Sequence, residues 1–268
     1  MKMRASCLYI IVAVAFLTAC HDNLAEDSSA VGGEPLELRA EINQQYITRA
    51  SDGGFADGDQ IGVFVVNYKE GEAQPLQPNG NHADNVCFTY DEAGGKWTGS
   101  TQLYWKDKQT PIDAYGYYPF DASLSSTEAY PFSVQQNQRD PMTTGRKLSG
   151  YEQSDLLWAK KEGAIPTAGA ITLLHHHLMA GIKVILQEGA GFGEGEWDGA
   201  QKELFVENTI PSATVDLQTG TVSVVSGAPV AAITPQQHGN TYRAVVIPQS
   251  VGDGERLFSF TIDGQGLH

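Results

Sequence analysis

The chain has 268 residues, with 17 Lys and Arg against 32 Asp and Glu and a formal net charge of −15 at pH 7. Nucleic-acid binding requires basic groups that neutralise phosphates, so this charge balance argues against a nucleic-acid partner. The length exceeds the ~100–150 residues of a typical single domain, and we therefore expect two domains.

The N-terminus begins with two positive charges, Lys2 and Arg4, followed by an apolar run at residues 7–17. This run has the length of a signal-peptide core and is well short of the ~20 residues that span a bilayer as a helix. Residues 20–35 are polar and acidic, contain Gly and Ser, and show no hydrophobic period. This composition is typical of a flexible tether.

The sequence "LTAC" at residues 17–20 resembles a bacterial lipobox. In that signal the cysteine is acylated and the chain is cut immediately before it. The resemblance predicts a lipoprotein signal peptide at residues 1–19, cleavage between Ala19 and Cys20, and lipidation of Cys20. Two or more acyl chains would anchor the protein stably to a membrane that it does not span. The alternative is an ordinary secretory signal that contains a cysteine.

Most of the remaining chain consists of short apolar runs separated by Gly, Asp, Asn and Pro, such as "QIGVFVV" (60–66), "NVCFTY" (85–90), "IDAYGYYP" (112–119), "YRAVVIP" (242–248) and "RLFSFTID" (256–263). Short strands with frequent turns predict an all-β fold of sandwich or barrel type. The segments "FTYDEAGGKWTG" (88–99) and "VDLQTGTVSV" (215–224) predict hairpins. The segment "YEQSDLLWAKK" (151–161) has the best helical period, although its "DLLWA" portion is also compatible with a strand.

The apolar run "ITLLHHHLMAGIKVIL" (171–186) is too long for one simple edge strand. Pro166 and Gly169 interrupt the chain just before it, and we therefore place a domain boundary near 168. This boundary predicts an N-terminal β-sandwich domain at residues 36–168 and a C-terminal one at residues 169–268.

Two clusters suggest a metal site. Alternate residues of a strand share a face, so His175 and His177 could be ligands of one metal ion, but the chain has no HExxH spacing. The acidic cluster Asp52, Asp57 and Asp59 lacks the periodicity that places calcium ligands around one ion. Structural histidines and turn aspartates are the interpretations we favour, and no cofactor is expected.

The sequence gives little indication of an enzyme. The Gly-rich loop at 188–199 is acidic, which would repel a phosphate, and no G-x-S-x-G elbow occurs. Cys87 lies inside an apolar run, which does not suggest a nucleophile. A glycosidase-like carboxylate pair stays open, because the many Asp and Glu residues do not single out two.

Aromatic residues are concentrated between positions 97 and 132, where they are Trp97, Tyr104, Trp105, Tyr115, Tyr117, Tyr118, Phe120, Tyr130 and Phe132. Exposed rings could stack on sugars, whereas buried rings would fill the core of a sandwich. We favour core packing and keep glycan binding as the alternative function.

The order of several segments resembles the fimbrillin family, the Mfa-like subunits of type V pili: "FADGDQIGVFV" (55–65), "WTGSTQLYW" (97–105), "DAYGYYPF" (113–120), "SDLLWA" (154–159) and "LLHHHLMAGIKV" (173–184). The segments "VDLQTGTVSV" (215–224) and "AVVIPQS" (244–250) resemble the second half of that family. The resemblance extends from about residue 36 to the end of the chain.

The resemblance implies two transthyretin-like β-sandwich domains in a surface-exposed lipoprotein of the cell outer membrane. It implies assembly into pili that serve adhesion to a host or bacterial surface ligand. In this family a trypsin-like protease cuts after an arginine near the first strand, and the vacated groove accepts a strand of a neighbouring pilus subunit. Arg39 and Arg49 are the candidates, and Arg49 is favoured because it lies beside a Gly-rich segment. The alternative is an outer-membrane lipoprotein that binds glycans through exposed aromatic residues.

The first strand and the C-terminus carry two further expectations. The segment "PLELRAEINQQYIT" (35–48) partly alternates, with Leu36, Leu38 and Ala40 on one face, as expected of a half-buried strand. Family members usually continue with further strands after a segment like "FTIDGQ", so the resemblance predicts an incomplete second domain.

Overall fold

Strands form nearly all of the regular structure in the computed structural model, which describes residues 33–43, 54–139, 148–166 and 169–267. Within these residues the helices are two short segments, α1 (Gly150–Gln153) and α2 (Glu196–Gly199). The all-β prediction is confirmed.

The first eight strands are β1 (Leu38–Ile42), β2 (Gln60–Asn67), β3 (Ala83–Asp91), β4 (Lys96–Gly99), β5 (Ile112–Tyr118), β6 (Tyr130–Ser133), β7 (Leu157–Ala164) and β8 (Ile171–His177). All of them except β6 form one sheet in the order β1-β8-β7-β5-β2-β3-β4. The strand β1 is parallel to β8, whereas the other neighbours in this sheet are antiparallel. The strands β1 and β4 are therefore the two edges of the sheet.

The centre of the seven-stranded sheet is buried on both faces, which explains why its strands are continuous apolar runs. In β2, Ile61 and Val63 face one hydrophobic core, which also contains Leu38 and which we call the β1 core. Phe64, on the opposite face of β2, belongs to a second core, which we call the central core. Packing on both faces fits a layered β architecture of sandwich type.

The remaining strands are β9 (Ala180–Ile185), β10 (Lys202–Thr209), β11 (Ser212–Asp216), β12 (Thr221–Val224), β13 (Ala231–Ile233), β14 (Gln236–His238), β15 (Thr241–Val246), β16 (Phe258–Ile262) and β17 (Gln265–Leu267). They form a four-stranded sheet β13-β10-β16-β17 and two three-stranded sheets, β12-β11-β6 and β14-β15-β9. Side chains of β10, β11 and β15 enter the central core opposite those of β2 and β5.

The apolar run at 171–186 is long because it forms two strands in two different sheets. The strand β8 pairs with β7 and β1, whereas β9 pairs with β15. The seven-stranded sheet therefore extends past residue 168 to His177, and β6, which precedes 168, pairs with β11. The division into domains at 168 stays a prediction.

Local sequence signals account for several short elements. Both predicted hairpins form, with β3 paired to β4 and β11 paired to β12. The segment at 151–161 divides between one helical turn and a strand, because the Ser149–Glu152 capping box starts α1 and the apolar "LWA" (157–159) begins β7. The compatibility of "DLLWA" with a strand is thus confirmed.

Candidate functional site

The strand β1 lies at the edge of the sheet with alternate side chains in the β1 core. Leu36, Leu38 and Ala40 are buried, and Leu38 retains only 6% of its accessible surface. The intervening side chains, including Glu37 and Arg39, are exposed. The predicted alternation of this segment is confirmed, and its apolar face fills a space that the other strands of the sheet leave open.

Backbone hydrogen bonds hold one side of this segment against β8. The Ile171 amide donates to the carbonyl of Glu37 at 2.8 Å, and the Asn43 amide donates to the carbonyl of His175 at 2.8 Å. These two bonds lie at the two ends of a parallel ladder that pairs Leu38 with Ile171 in register. The segment is thus attached to the sheet by the interactions that any extended strand could make.

The other side of the segment is held by contacts that the sequence did not reveal. The Leu36 amide donates to the carbonyl of Leu103 at 2.9 Å, and the indole N–H of Trp97 donates to the carbonyl of Ala40 at 3.2 Å. A cleft of about 510 Å³, lined by Phe88 among others, lies between β1 and β4. These long-range partners have no signal in local periodicity or spacing.

We call the space occupied by the buried face of residues 36–42 the β1 slot. Its walls are the inward side chains of β8, namely Ile171, Leu173 and His175, and apolar residues of β2 and β3. The slot accepts an extended segment with apolar residues at alternate positions. It is the candidate functional site because it combines an edge for backbone pairing with an apolar groove.

The predicted processing residues differ in what the structure shows of them. Arg39 lies in the middle of β1, with an exposed side chain and its backbone in register with Thr172 of β8. Arg49, and the predicted lipidation and cleavage residues Ala19 and Cys20, lie outside the described residues. Their roles stay predictions.

His175 is fully buried in the wall of the β1 slot. Its Nδ1 lies 3.1 Å from the carbonyl of Leu173, its ring meets Phe55 edge-on at 5.5 Å, and its Nε2 has no hydrogen-bond partner. A side chain at Gly116 would place a Cβ 2.8 Å from that Nε2, so the ring is confined. Burial lowers the pKa of His175 to about 4 because the charged imidazolium would lose its solvation.

This burial predicts a pH-dependent stability. The unfolded chain protonates His175 near pH 6.5, whereas the folded chain protonates it near pH 4. The contribution of neutral His175 to the free energy of unfolding is therefore fully present above pH 6.5 and is lost as the pH falls towards 4. The expected loss is about 3 kcal/mol across this window. We expect a His175→Phe variant to lose this part of the pH dependence in denaturant titrations. Exposed His176 supplies the control, since His176→Phe should keep the wild-type profile; equal profiles for all three proteins would contradict the prediction.

The histidine run does not converge on a metal site. His177 Nδ1 lies 2.9 Å from the carboxylate of Asp155, and the Asn43 side chain lies 3.2 Å from the ring of exposed His176. In the part of the chain that the structure describes, no group of three His, Cys, Asp or Glu side chains could hold a metal ion. The structural interpretation of these histidines is therefore supported by the contacts that they make.

The acidic cluster and the Gly-rich loop at 188–199 also make structural contacts. Asp57 accepts the Glu92 amide, and buried Asp59 accepts the Ala56 amide, whereas Asp52 lies outside the described residues. In the Gly-rich loop, Trp197 is buried and meets Phe192 edge-on at 5.1 Å.

Most aromatic residues between 97 and 132 are part of the two cores, as predicted. Trp105, Tyr115, Tyr117, Tyr118, Tyr130 and Phe132 are buried, Trp97 and Phe120 are half-buried, and Tyr104 is 43% exposed. A row of stacking rings for glycan binding is therefore not available in this segment. Cys87 is half-buried in β3, and burial raises the pKa of its thiol, which disfavours the nucleophilic thiolate.

No helix within the described ranges is long and apolar enough to cross a membrane. The family model for fimbrillin-like proteins matches residues 48–268 of the chain. The chain belongs to the fimbrillin-like family. No curated protein matches this fimbrillin-like chain.

Solved structures share the fold of this family member. A candidate cell adhesion protein from Bacteroides uniformis is 20% identical, with a TM-score of 0.61 over 87% of this chain and 83% of its own. A second one, from Bacteroides ovatus, is 18% identical, with a TM-score of 0.63 over 87% and 84%. A fimbrial protein from Bacteroides ovatus is 17% identical, with a TM-score of 0.54 over 88% of this chain and 45% of its own.

Proposed function

We propose that this fimbrillin-like protein is a structural, anchor or tip subunit of a cell-surface pilus that serves adhesion. In the proposed assembly step, a protease removes the N-terminal segment with β1, and a strand of a neighbouring subunit enters the β1 slot. The observation that carries the proposal is the position of β1, an edge strand whose apolar face completes the β1 core. The fimbrial and cell adhesion proteins with the same fold support the same role.

The energetics of the β1 slot explain why an emptied subunit would bind another chain. Removal of β1 would expose the apolar side chains that pack against Leu38, and burial of apolar surface contributes roughly 25 cal/mol per Å². It would also leave the outer backbone groups of β8 unpaired, and such an edge readily pairs with another strand. A neighbouring strand would restore both interactions through backbone hydrogen bonds and alternate side chains.

The geometry of β1 favours Arg49 over Arg39 as the processing point. Cleavage at Arg39 would require a protease to pull a paired strand away from β8, and it would leave Ala40 and Ile42 on the residual chain. Cleavage after Arg49 would leave the whole of β1 on the released fragment. Only the second cut empties the entire slot.

The test compares proteins that differ in one arginine. After limited digestion with an arginine-specific protease, we expect wild type and Arg39→Ala to lose the N-terminal fragment and to form larger assemblies. Arg49→Ala should stay uncut in this region and monomeric. Intact-mass spectrometry locates the cut, and size-exclusion chromatography with light scattering measures the assemblies. A cut wild type that stays a stable monomer and also fails to bind a synthetic peptide of residues 33–43 would contradict the proposal.

The proposed subunit reaches the cell outer membrane as a lipoprotein anchored at Cys20. A cut after Arg49 would separate the folded residues from this anchor, so processing would couple release to assembly. We expect a clickable fatty-acid analogue to label the wild-type protein in cells and to leave Cys20→Ala unlabelled. Cys87→Ala is the matched control and should label like wild type, and label that persists in Cys20→Ala would refute the anchor.

A further inference from the structure

A second concave site lies in the C-terminal half of the protein. It is a cleft of about 420 Å³ bounded by the end of α2, the residues after it and the turn between β14 and β15. Two cationic residues, Arg139 and Lys202, line it in a chain whose formal net charge is −15. The cleft shares no residue with the β1 slot, so it is independent of the proposed assembly step.

The Lys202 side chain is held in place by the groups around it. Lys202 is only 9% exposed, and its ammonium donates to the carbonyl of Trp197 and lies 4.6 Å above the indole ring. The Tyr242 hydroxyl donates to the Lys202 carbonyl at 2.9 Å and accepts from the Gln237 amide at 2.9 Å. The cleft therefore has a fixed polar floor.

Arg139 has hydrogen-bonding capacity that its surroundings leave unused. Its Nε is buried and has no hydrogen-bond partner, which is costly for a polar group unless a ligand or water completes it. Burial raises the pKa of the Tyr242 hydroxyl, and the positive charge of Arg139 opposes that rise. The guanidinium therefore interacts electrostatically with the Tyr242 hydroxyl in the floor of the cleft. The ion pairs found among the described residues do not involve Arg139.

The chemistry of the lining indicates the class of ligand. A guanidinium matches the planar, two-oxygen geometry of a carboxylate, and the amides of Gln201, Gln237 and Asn240 offer both donors and acceptors for hydroxyl groups. We propose that this cleft binds a sugar unit that carries a carboxylate, with the carboxylate on Arg139 and the hydroxyls on the amides. The carboxylates of Asp198 and Glu203 also line the cleft and oppose an anionic ligand.

The test measures binding of single sugars to the full chain by calorimetry. Glucuronic acid and N-acetylneuraminic acid are the probes, glucose is the uncharged control, and acetate is the control for charge without hydroxyls. We expect at least one acidic sugar to bind about tenfold or more tightly than glucose and acetate. Arg139→Gln should weaken that binding about tenfold or more, and Glu203→Gln should strengthen it.

Asn240→Ala separates the hydroxyl contacts from the carboxylate contact. It should weaken the binding of the acidic sugar and leave the binding of acetate unchanged. Melting temperatures show whether each variant is folded, and the Glu203 and Asn240 variants test the site if Arg139→Gln fails to fold. The proposal is overturned if neither acidic sugar binds, if acetate or glucose binds as tightly as the acidic sugars, or if folded Arg139→Gln keeps the wild-type Kd. The β1 slot experiments are unaffected by any of these outcomes.

Discussion

Trp105→Ala is expected to lower the free energy of unfolding by about 3–5 kcal/mol, the range typical of buried tryptophan. Trp105 is 4% exposed and packs in the β1 core, where its removal would leave a cavity beside the N-terminal segment. Its backbone amide also donates to the Glu34 carbonyl at 2.8 Å. A backbone that shifts into the cavity would weaken this hydrogen bond to the N-terminal segment. Urea unfolding followed by circular dichroism measures the change.

The neighbouring residue supplies the control for this variant. Tyr104 is 43% exposed, and Tyr104→Ala should change the free energy of unfolding by no more than about 0.5 kcal/mol. Equal losses for the two variants would contradict the assignment of Trp105 to the core. An unchanged Trp105→Ala protein would also reopen glycan binding through this aromatic segment.

Leu38→Asp is expected to detach β1 while the rest of the seven-stranded sheet stays folded. The substitution places a carboxylate in the β1 core, and an unpaired buried charge is strongly disfavoured. Because β1 is an edge strand, the chain can avoid this cost by releasing residues 33–43 without unfolding β2 or β5. Hydrogen exchange with mass spectrometry should show lost protection in that segment, with the central strands still protected.

Arg39→Asp is the matched control for the detached strand. Arg39 is adjacent in β1, and its side chain points to solvent, so an added carboxylate there has no comparable desolvation cost. We expect its exchange pattern to match wild type. Global loss of protection in Leu38→Asp would show that β1 is an inseparable part of the fold, which would count against strand exchange.

Local periodicity predicted those features that depend only on neighbouring residues. The alternation of Leu36, Leu38 and Ala40 correctly predicted the buried face of β1, and the segment "VDLQTGTVSV" (215–224) correctly predicted the β11–β12 hairpin. The two-faced burial of "QIGVFVV" (60–66) fits an uninterrupted apolar run because both sides of that strand meet a core.

Pairing between distant segments was beyond the reach of such patterns. The parallel pairing of β1 with β8 depends on which of many apolar strands lies beside it, and strand periodicity is the same for every partner. The hydrogen bond from Trp97 to Ala40 likewise depends on the curvature that brings β4 near β1. Clefts such as the one at Arg139 arise from loops that come together only in the folded chain.

The change of sheet within residues 171–186 shows a different limit. Apolar character continues through Leu178 and Met179, because both the seven-stranded sheet and the central core require it there. Hydropathy therefore marks the run but not the point at which β8 ends and β9 begins. The length of the run was the useful signal, since it indicated that one strand was not sufficient.

A reversible lock on β1 tests strand exchange most directly. Arg39 and Thr172 are register partners with exposed side chains, and paired strands lie about 4.8 Å apart, which suits a disulfide. The lock is the double variant Arg39→Cys with Thr172→Cys, with native Cys7, Cys20 and Cys87 replaced by alanine.

The measurement is the mass of assemblies after cleavage at Arg49, with and without reductant. We predict that the oxidised protein keeps its cut fragment, stays monomeric and rejects a labelled peptide of residues 33–43. After reduction the fragment should leave, and the slot should bind the peptide or a neighbouring subunit. Identical assembly in the oxidised and reduced proteins, or an emptied slot that binds neither, would contradict strand exchange at β1.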